Sequence, residues 1–304
     1  SAAQQSGLAG KKPNIIFVLT DDQGMGDLSC MGNPHLKTPH IDSFYAKSSR
    51  FSDFHVSPTC SPTRAALMSG RHPLEVGVSH TVRYRERLAK DVITMPQALQ
   101  QAGYQTGIFG KWHLGDEEAY LPQKRGFHEV LIHPAGGLCQ FQWGDFKANE
   151  AAKYFDNVLL HNDTIVQTKG FCTDLFFDAG LAWTKKQLDA GQPFFTYISL
   201  NAPHGPMYAP KKNIKRFTDQ GFDKSAAARY GMVENIDENF GKLMAHLEQW
   251  KALENTLVIF MTDNGMAMGS FKINGKKHEA HNAGMKGRKN SPDEGGTRVP
   301  SFWY

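Results

Sequence analysis

Four polar clusters in the sequence contain side chains that bind cations or transfer protons, and each cluster directly follows a run of mostly apolar residues. The clusters are Asp21-Asp22, Lys111 with His113, His204, and Asp263-Asn264. Three carboxylates and one amide carbonyl form an all-oxygen ligand set, which favours a hard cation such as Ca²⁺ or Mg²⁺ over zinc. The two histidines then remain for acid and base chemistry.

The elements that must position these clusters are strands alternating with helices. The predicted strands are residues 14–20, 104–110, 193–200 and 256–262, whose near-continuous apolar runs are typical of a sheet covered on both faces. The predicted helices lie at about 39–50, 62–70, 94–103, 172–190 and 225–252. This order predicts an α/β fold, a three-layer sandwich with a mostly parallel central sheet. Segment 115–170 has weak periodicity and is predicted to run over the active face.

The four clusters are expected to meet, because ligands of open α/β sheets bind beyond the carboxyl ends of the strands. Each cluster alone has an ordinary structural interpretation. Aspartates after strands are common in turns and helix caps, loop histidines are usually solvated, and Asn-Gly is a turn signal. All of these interpretations would have to hold together at one edge of one sheet. We therefore predict a functional site at that edge.

Composition is that of a globular protein and argues against two classes of partner. The chain has 304 residues, of which 40% are hydrophobic and 11% aromatic, and its net charge is +4. Without a longer basic stripe, a nucleic-acid partner is not expected. No apolar run reaches the ~20 residues that cross a bilayer, so no membrane span is expected. Residues 1–12 are small and polar and are predicted to be flexible, which leaves 13–304 as the folded domain.

The cysteines form neither a disulfide framework nor a zinc motif, since they are scattered and include no C-x-x-C pair. Cys139 and Cys172 are a candidate disulfide in an oxidising compartment. Cys30 is interpreted as a small buried apolar residue. Cys60 is different, because it precedes a proline and an arginine at the predicted start of a helix, in Cys60-Ser-Pro-Thr-Arg64.

The stretch from Cys60 to Arg64 resembles the Cys-x-Pro-x-Arg signature of the type I sulfatases, in which a maturation enzyme oxidises the cysteine to Cα-formylglycine. The similarity extends over nearly the whole chain. Further matches are Asp21-Asp22-x-Gly, Gly110-Lys111-Trp-His113, Ala202-Pro-His204-x-Pro, Thr262-Asp263-Asn264-Gly and Glu294-Gly-Gly-x-Arg298. The resemblance implies an alkaline-phosphatase-like fold, export to the periplasm or secretion, and hydrolysis of sulfate esters, with a sulfated small molecule or glycan as substrate.

A hydrated formylglycine suits this reaction because it has two hydroxyl groups. One attacks sulfur and displaces the alcohol, and the second, once deprotonated, expels sulfate and regenerates the aldehyde. The resemblance implies Ca²⁺ as the cofactor, with Mg²⁺ as the alternative. The implied metal ligands are Asp21, Asp22, Asp263, Asn264 and the modified Cys60.

The resemblance also implies roles for the remaining matched residues. Arg64 and Lys111 would hold the hydrated aldehyde, and His113 would act as the base. His204 would protonate the leaving oxygen, helped by a sulfate-binding lysine near the C-terminus. That lysine is predicted to be Lys289, with Lys286 as the second candidate. His133 is a further candidate for contact with sulfate.

One departure and two other functions remain open. Sulfatases of this type usually continue beyond the Glu294 segment with another strand and a smaller C-terminal domain. Because the chain stops at Tyr304, we expect that a C-terminal subdomain is missing and is supplied by a lost fragment or a second chain, unless this is a shortened member. The other functions are a phosphonate monoester or phosphodiester hydrolase of the same superfamily, and a non-catalytic calcium-dependent protein that binds sulfated glycans.

Overall fold

A nine-stranded sheet and a separate two-stranded sheet form the framework of the protein. The structure is a computed structural model that describes residues 11–82, 84–133 and 154–304. Residues 1–10 of the predicted flexible segment and Cys139 lie outside these ranges. Within them the strands are β1 (Asn14–Thr20), β2 (Ser49–Arg50), β3 (Gln105–Lys111), β4 (Glu129–His133), β5 (Val158–His161), β6 (Thr164–Gln167), β7 (Phe194–Ser199), β8 (Thr256–Thr262), β9 (Ser270–Ile273), β10 (Lys276–Glu279) and β11 (Ser301–Trp303).

The large sheet is parallel at its centre and antiparallel at both edges. Its strand order is β2-β11-β8-β1-β7-β3-β4-β5-β6, and β9 pairs with β10 in the second sheet. The five strands from β8 to β4 are parallel, whereas β11, β2, β5 and β6 run antiparallel to their neighbours. The predicted α/β fold with a mostly parallel central sheet is therefore confirmed for the part that carries the polar clusters.

Helices cover both faces of this sheet. Within the described residues they are α1 (Pro39–Lys47), α2 (Cys60–Ser69), α3 (Met95–Gln101), α4 (Cys172–Asp189), α5 (Lys211–Thr218), α6 (Lys224–Gln249) and α7 (Glu294–Thr297). Ile16 and Val18 of β1 belong to one core with α1, α4 and α6, while Phe17 and Leu19 belong to a second core with α2. Apolar burial on both faces produces the predicted three layers. Within the described residues, no helix combines the length and apolar character needed to cross a bilayer.

The carboxyl ends of the central strands lie at one level of the sheet. Thr20 at the end of β1 is opposite Thr262 at the end of β8. Ser199 at the end of β7 is opposite both Leu19 of β1 and Gly110 of β3. The polar residues that follow these strands therefore begin side by side, as the sequence predicts.

Segment 115–170, the start of α2 and helix α5 differ from the sequence predictions. Segment 115–170 is not only an excursion over the active face, because β4, β5 and β6 extend the sheet at one edge. These strands have only four or five residues, too few for a clear apolar pattern. Helix α2 begins at Cys60 rather than Pro62, since proline is tolerated in the first turn of a helix. The strongly charged helix α5 was not predicted.

We predict that Gly110→Ala disrupts the junction between β3 and β7. Gly110 has a φ of 125°, and an added Cβ would lie 1.9 Å from the carbonyl oxygen of Ser199. Backbone strain and the clash together should cost at least about 3 kcal/mol in the free energy of unfolding, measured by urea denaturation. Gly191→Ala is the matched control, because its φ is 64° and no atom lies within 4 Å of the added Cβ. It should cost about 1 kcal/mol, and equal losses in the two variants would contradict the prediction.

Candidate functional site

Three aspartates and one cysteine form a buried cluster at the carboxyl edge of the sheet. One ligand atom from each of Asp21, Asp22, Cys60 and Asp263 lies within 4.8 Å of the others. The Sγ atom of Cys60 is 3.3 Å from Asp21 Oδ1 and 3.9 Å from Asp22 Oδ1. Residues that follow β1 and β8 and the first residue of α2, separated by up to 242 positions in sequence, are thus brought together.

Helix α2 presents Cys60 at its N-terminus. Thr59 has extended backbone angles and precedes the first helical residue, without a side-chain cap. Cys60 and Arg64 are one turn apart, so both side chains point toward the carboxylates. The free N–H groups and the positive end of the helix dipole lie at this end of α2, where they favour an anion.

Arg64 is almost completely buried and binds the carboxylate of Asp263. Its Nε and Nη2 atoms donate to Asp263 Oδ2 at 3.0 and 2.8 Å. Nη1 donates to Ser199 Oγ at 2.6 Å, and Ser199 Oγ in turn donates to the carbonyl oxygen of Lys111 at 2.7 Å. Arg64 therefore connects the ends of β8, β7 and β3.

Lys111 neutralises the carboxylate nearest to Cys60. Its buried Nζ donates to Asp21 Oδ2 at 2.5 Å. Burial alone would raise the pKa of Asp21, but Lys111, with His204 and Arg64, holds that pKa well below its usual range. Asp21 is thus ionised beside the thiol.

Burial disfavours the charged forms of Asp263 and the Cys60 thiol. Burial and the negative charge of Asp21 raise the pKa of Asp263 to about 7 and raise the pKa of the Cys60 thiol well above its ordinary value. Asn264 donates through Nδ2 to Asp22 Oδ1 at 2.8 Å, while its buried Oδ1 has no partner among the described residues. Crowded carboxylates and an unused amide oxygen fit a hard divalent cation, which would relieve the repulsion.

His113 is held as a neutral imidazole. Its Nε2 atom is 3.0 Å from the carbonyl oxygen of Thr81, which can only accept, so Nε2 carries the proton. The buried Nδ1 atom is then an acceptor, without a hydrogen-bond partner in the described part of the chain. Burial and the positive charges of Lys111 and Arg64 lower the pKa of His113 well below its ordinary value.

His204 and Lys289 line the side of the cluster that solvent reaches. Lys289 Nζ donates to Asp22 Oδ2 at 2.8 Å, and His204 Nε2 lies 3.7 Å from the same oxygen. The side chain of Lys289 is 17% exposed and that of His204 is 19% exposed, whereas Asp21 and Lys111 are fully buried. His204 Nδ1 donates to the carbonyl oxygen of Gly205, which directs Nε2 toward the cluster.

The other two candidates lie in different positions. Lys286 is 86% exposed and pairs with Asp293, so the structure places Lys289 and not Lys286 at the cluster. The reason is that the loop from 284 to 290 turns at Gly287, which has a φ of 79°. His133 is buried at the end of β4, in register with Lys111.

Two site residues have left-handed backbone angles. Asp22 has a φ of 64° and His113 a φ of 59°, a conformation that costs non-glycine residues of the order of 1–3 kcal/mol. Such strain persists only where surrounding contacts hold it, and it is concentrated at functional sites.

The residues that hold this backbone in place were not predicted from the sequence. Arg229 of α6 contacts the main chain at Asp22 and Pro203, and it also pairs with Asp27. Tyr154 Oη lies 2.7 Å from the carbonyl oxygen of Asn201 and 2.6 Å from that of His204. The available signal for Arg229 was a single charge within the small and apolar run from 226 to 233.

The chain is similar in sequence to known sulfatases. N-acetylgalactosamine-6-sulfatase of Canis lupus familiaris is 32% identical over 319 residues, which cover 97% of this chain and 58% of that protein. Arylsulfatase A of Homo sapiens is 33% identical over 334 residues, which cover 99% of this chain and 61% of that protein. The chain therefore spans about three-fifths of the length of these relatives.

Solved structures share the fold. The crystal structure of Ps i-CgsB in complex with k-i-k-neocarrahexaose has a TM-score of 0.81 and 32% identity, covering 97% of this chain and 66% of that one. A protein in the alkaline phosphatase superfamily from Vibrio parahaemolyticus has a TM-score of 0.63 at 17% identity, covering 97% and 60%, which is a likeness of fold alone. The predicted alkaline-phosphatase-like fold is thereby confirmed. The sulfatase family matches residues 13–304, and the chain belongs to that family.

Proposed function

We propose that this chain forms the catalytic part of an enzyme that hydrolyses sulfate esters, with a formylglycine derived from Cys60 as its nucleophile. The observation that carries the proposal is the position of Cys60, at the N-terminus of α2 and 3.3 Å from Asp21 in a buried cluster of carboxylates. An ordinary structural cysteine has no need of three carboxylates and two lysines around it.

The surroundings of Cys60 argue against the unmodified thiol as the nucleophile. Burial and Asp21 raise the pKa of the thiol, so a reactive thiolate is disfavoured at neutral pH. When formed, the hydrated aldehyde supplies a hydroxyl nucleophile at the same position. A formylglycine-generating enzyme is the implied partner, since Cys60-Ser-Pro-Thr-Arg64 contains each fixed position of the recognised motif.

The proposed metal ion is Ca²⁺, with Mg²⁺ as the alternative. The residues that would hold it are Asp21, Asp22, Asp263, Asn264 and the modified Cys60. When bound, the cation lowers the pKa of a nearby hydroxyl and offsets the negative charge of sulfate.

The remaining residues have complementary roles in moving protons and balancing charge. His113 offers a neutral Nδ1 as the base that takes a proton when sulfate is expelled. His204 Nε2 lies 3.7 Å from Asp22 Oδ2, on the side of the cluster that solvent reaches, and would donate a proton to the leaving oxygen. Lys111 and Lys289 would bind the hydrated aldehyde and the sulfate oxygens, and Arg64 holds Asp263 in place behind them.

A sulfated carbohydrate is the proposed substrate class, and the periplasm or the extracellular space is the proposed location. The support is that the similar proteins include an N-acetylgalactosamine-6-sulfatase and a protein crystallised with k-i-k-neocarrahexaose. Lys289, on the side of the cluster that solvent reaches, carries one positive charge and suits a singly charged sulfate ester. A phosphonate monoester or a phosphodiester has the same charge. Activity assays must separate these substrates.

We expect mass spectrometry to detect the aldehyde. In protein produced together with a formylglycine-generating enzyme, the tryptic peptide 51–64 should be about 18 Da lighter than the cysteine form, or have the unmodified mass as a hydrate that reacts with a hydrazide. This sample should hydrolyse 4-nitrophenyl sulfate faster than bis(4-nitrophenyl) phosphate. Cys60→Ala is the control and should be inactive.

The reverse substrate order would favour the phosphodiesterase alternative. A fully converted sample that binds a sulfated glycan without turnover would instead indicate a binding protein.

We expect Ca²⁺ to stabilise the protein through the buried cluster. At a Ca²⁺ concentration about 100 times its Kd, the free energy of unfolding should rise by about 2.7 kcal/mol, measured by thermal denaturation against an EDTA-treated sample. Asp22→Asn should remove most of this gain. Asp189→Asn is the control and should leave the gain intact, because Asp189 is an exposed residue at the end of α4 that pairs with Lys185. Equal melting temperatures in Ca²⁺ and EDTA would contradict the prediction.

We also expect the loss caused by His204→Ala to depend on the leaving group. A sugar alkoxide needs protonation far more than 4-nitrophenolate does. The variant should therefore lower kcat by about 10²–10⁴-fold on N-acetylgalactosamine 6-sulfate and much less on 4-nitrophenyl sulfate. Equal losses on both substrates would indicate that His204 binds sulfate rather than donating a proton.

A further inference from the structure

Arg229 of α6 connects two loops that carry site residues. Its side chain is 1% exposed. Nη2 donates to the carbonyl oxygen of Asp22 at 2.9 Å, and Nη1 donates to the carbonyl oxygen of Pro203 at 3.1 Å. Pro203 directly precedes His204, so one guanidinium group binds the main chain beside two site residues that come from different strands.

Asp27 anchors this guanidinium group. It forms a buried ion pair with Nη2 of Arg229, and the same carboxylate oxygen accepts a hydrogen bond from the backbone N–H of Gly24 at 3.0 Å. Asp27 belongs to the loop that begins at Asp22. The ion pair therefore ties α6 to both ends of that loop.

The position of the Arg229 guanidinium group matters because Asp22 is in a left-handed conformation. With a φ of 64°, its carbonyl group points in a direction that the strand before it does not dictate, and Arg229 holds it there. A guanidinium group is planar and has donors at fixed angles, so two bound carbonyl groups have a defined separation. A lysine ammonium at the same position has no such fixed fork and would not set this separation.

We propose that Arg229 is a positioning residue that sets the distance between Asp22 and His204. The relevant atoms are Asp22 Oδ2 and His204 Nε2, which are 3.7 Å apart. This inference rests on the proposed function, in which Asp22 binds the metal ion and His204 donates the proton. Tyr154 also supports the His204 loop, through the carbonyl oxygens of Asn201 and His204.

A purely structural arginine provides the matched control. Arg216 of α5 binds the carboxylate of Glu234 and donates through Nη2 to the carbonyl oxygen of His35 at 2.8 Å. It thus has the same kinds of partners as Arg229, but it joins α5 to α6 and to a loop that carries none of the proposed catalytic residues. Its substitution by lysine should affect folding without affecting the site.

The experiment compares Arg229→Lys with Arg216→Lys in the formylglycine-containing protein. Isothermal titration calorimetry measures Ca²⁺ affinity, and 4-nitrophenyl sulfate is the probe for kcat and KM. We expect Arg229→Lys to weaken Ca²⁺ binding by about 10–100-fold, as for other residues that support metal ligands, and to lower kcat more than it raises KM. Arg216→Lys should stay within about twofold of wild type in both, even where its melting temperature falls.

The second variant is Asp27→Asn, which removes the anchor of Arg229 and keeps its two carbonyl contacts. Asp27→Asn should lose less Ca²⁺ affinity than Arg229→Lys. If Arg229→Lys does not fold, Asp27→Asn alone decides: a loss of Ca²⁺ affinity supports the inference, and wild-type affinity overturns it. If Arg229→Lys keeps wild-type Ca²⁺ affinity and kcat, this inference is overturned but the proposed function is not. A wild-type protein that neither binds Ca²⁺ nor hydrolyses the probe would overturn the proposed function and this inference with it.

Discussion

The mutual repulsion of three buried aspartates is the constraint on which the rest of the site depends. Their oxygens meet Cys60 within 4.8 Å, where little water can screen the charges. Asp21, Asp22 and Asp263 are each paired with one cation, respectively Lys111, Lys289 and Arg64. Removing a partner would leave an uncompensated charge in the interior, so each pair stabilises the folded site.

The apolar cores on both faces of the sheet stabilise the fold and so offset the cost of concentrating charge at one edge. Side chains of β1 alternate between the two cores, and the polar residues begin only where the strand ends. Parallel neighbours end at the same level, which places Thr20 beside Thr262 and aligns Ser199 with Gly110. Helix α2 then adds N–H groups and the end of its dipole to the same edge.

Contacts to the backbone fix the positions of site residues that side-chain charges alone would leave undetermined. Asp22 and His113 adopt left-handed angles, so their orientation is set by neighbours rather than by the strands that precede them. Arg229 binds the main chain of the Asp22 and His204 loops, and Thr81 determines which nitrogen of His113 is free. The site is thus a set of charged side chains on a backbone that other buried groups hold in place.

The sequence by itself determined the main strands, the helix that carries Cys60 and the residues that follow the strand ends, because apolar periodicity and local motifs report burial and chain direction. It could not identify β4 to β6, whose short segments acquire strand structure only by pairing with the sheet. It left Lys286 and Lys289 as alternatives, since a three-residue offset in a glycine-containing loop decides which one reaches Asp22. Only the tertiary structure decided the contacts of Arg229 and Tyr154, because these contacts join elements far apart in the chain.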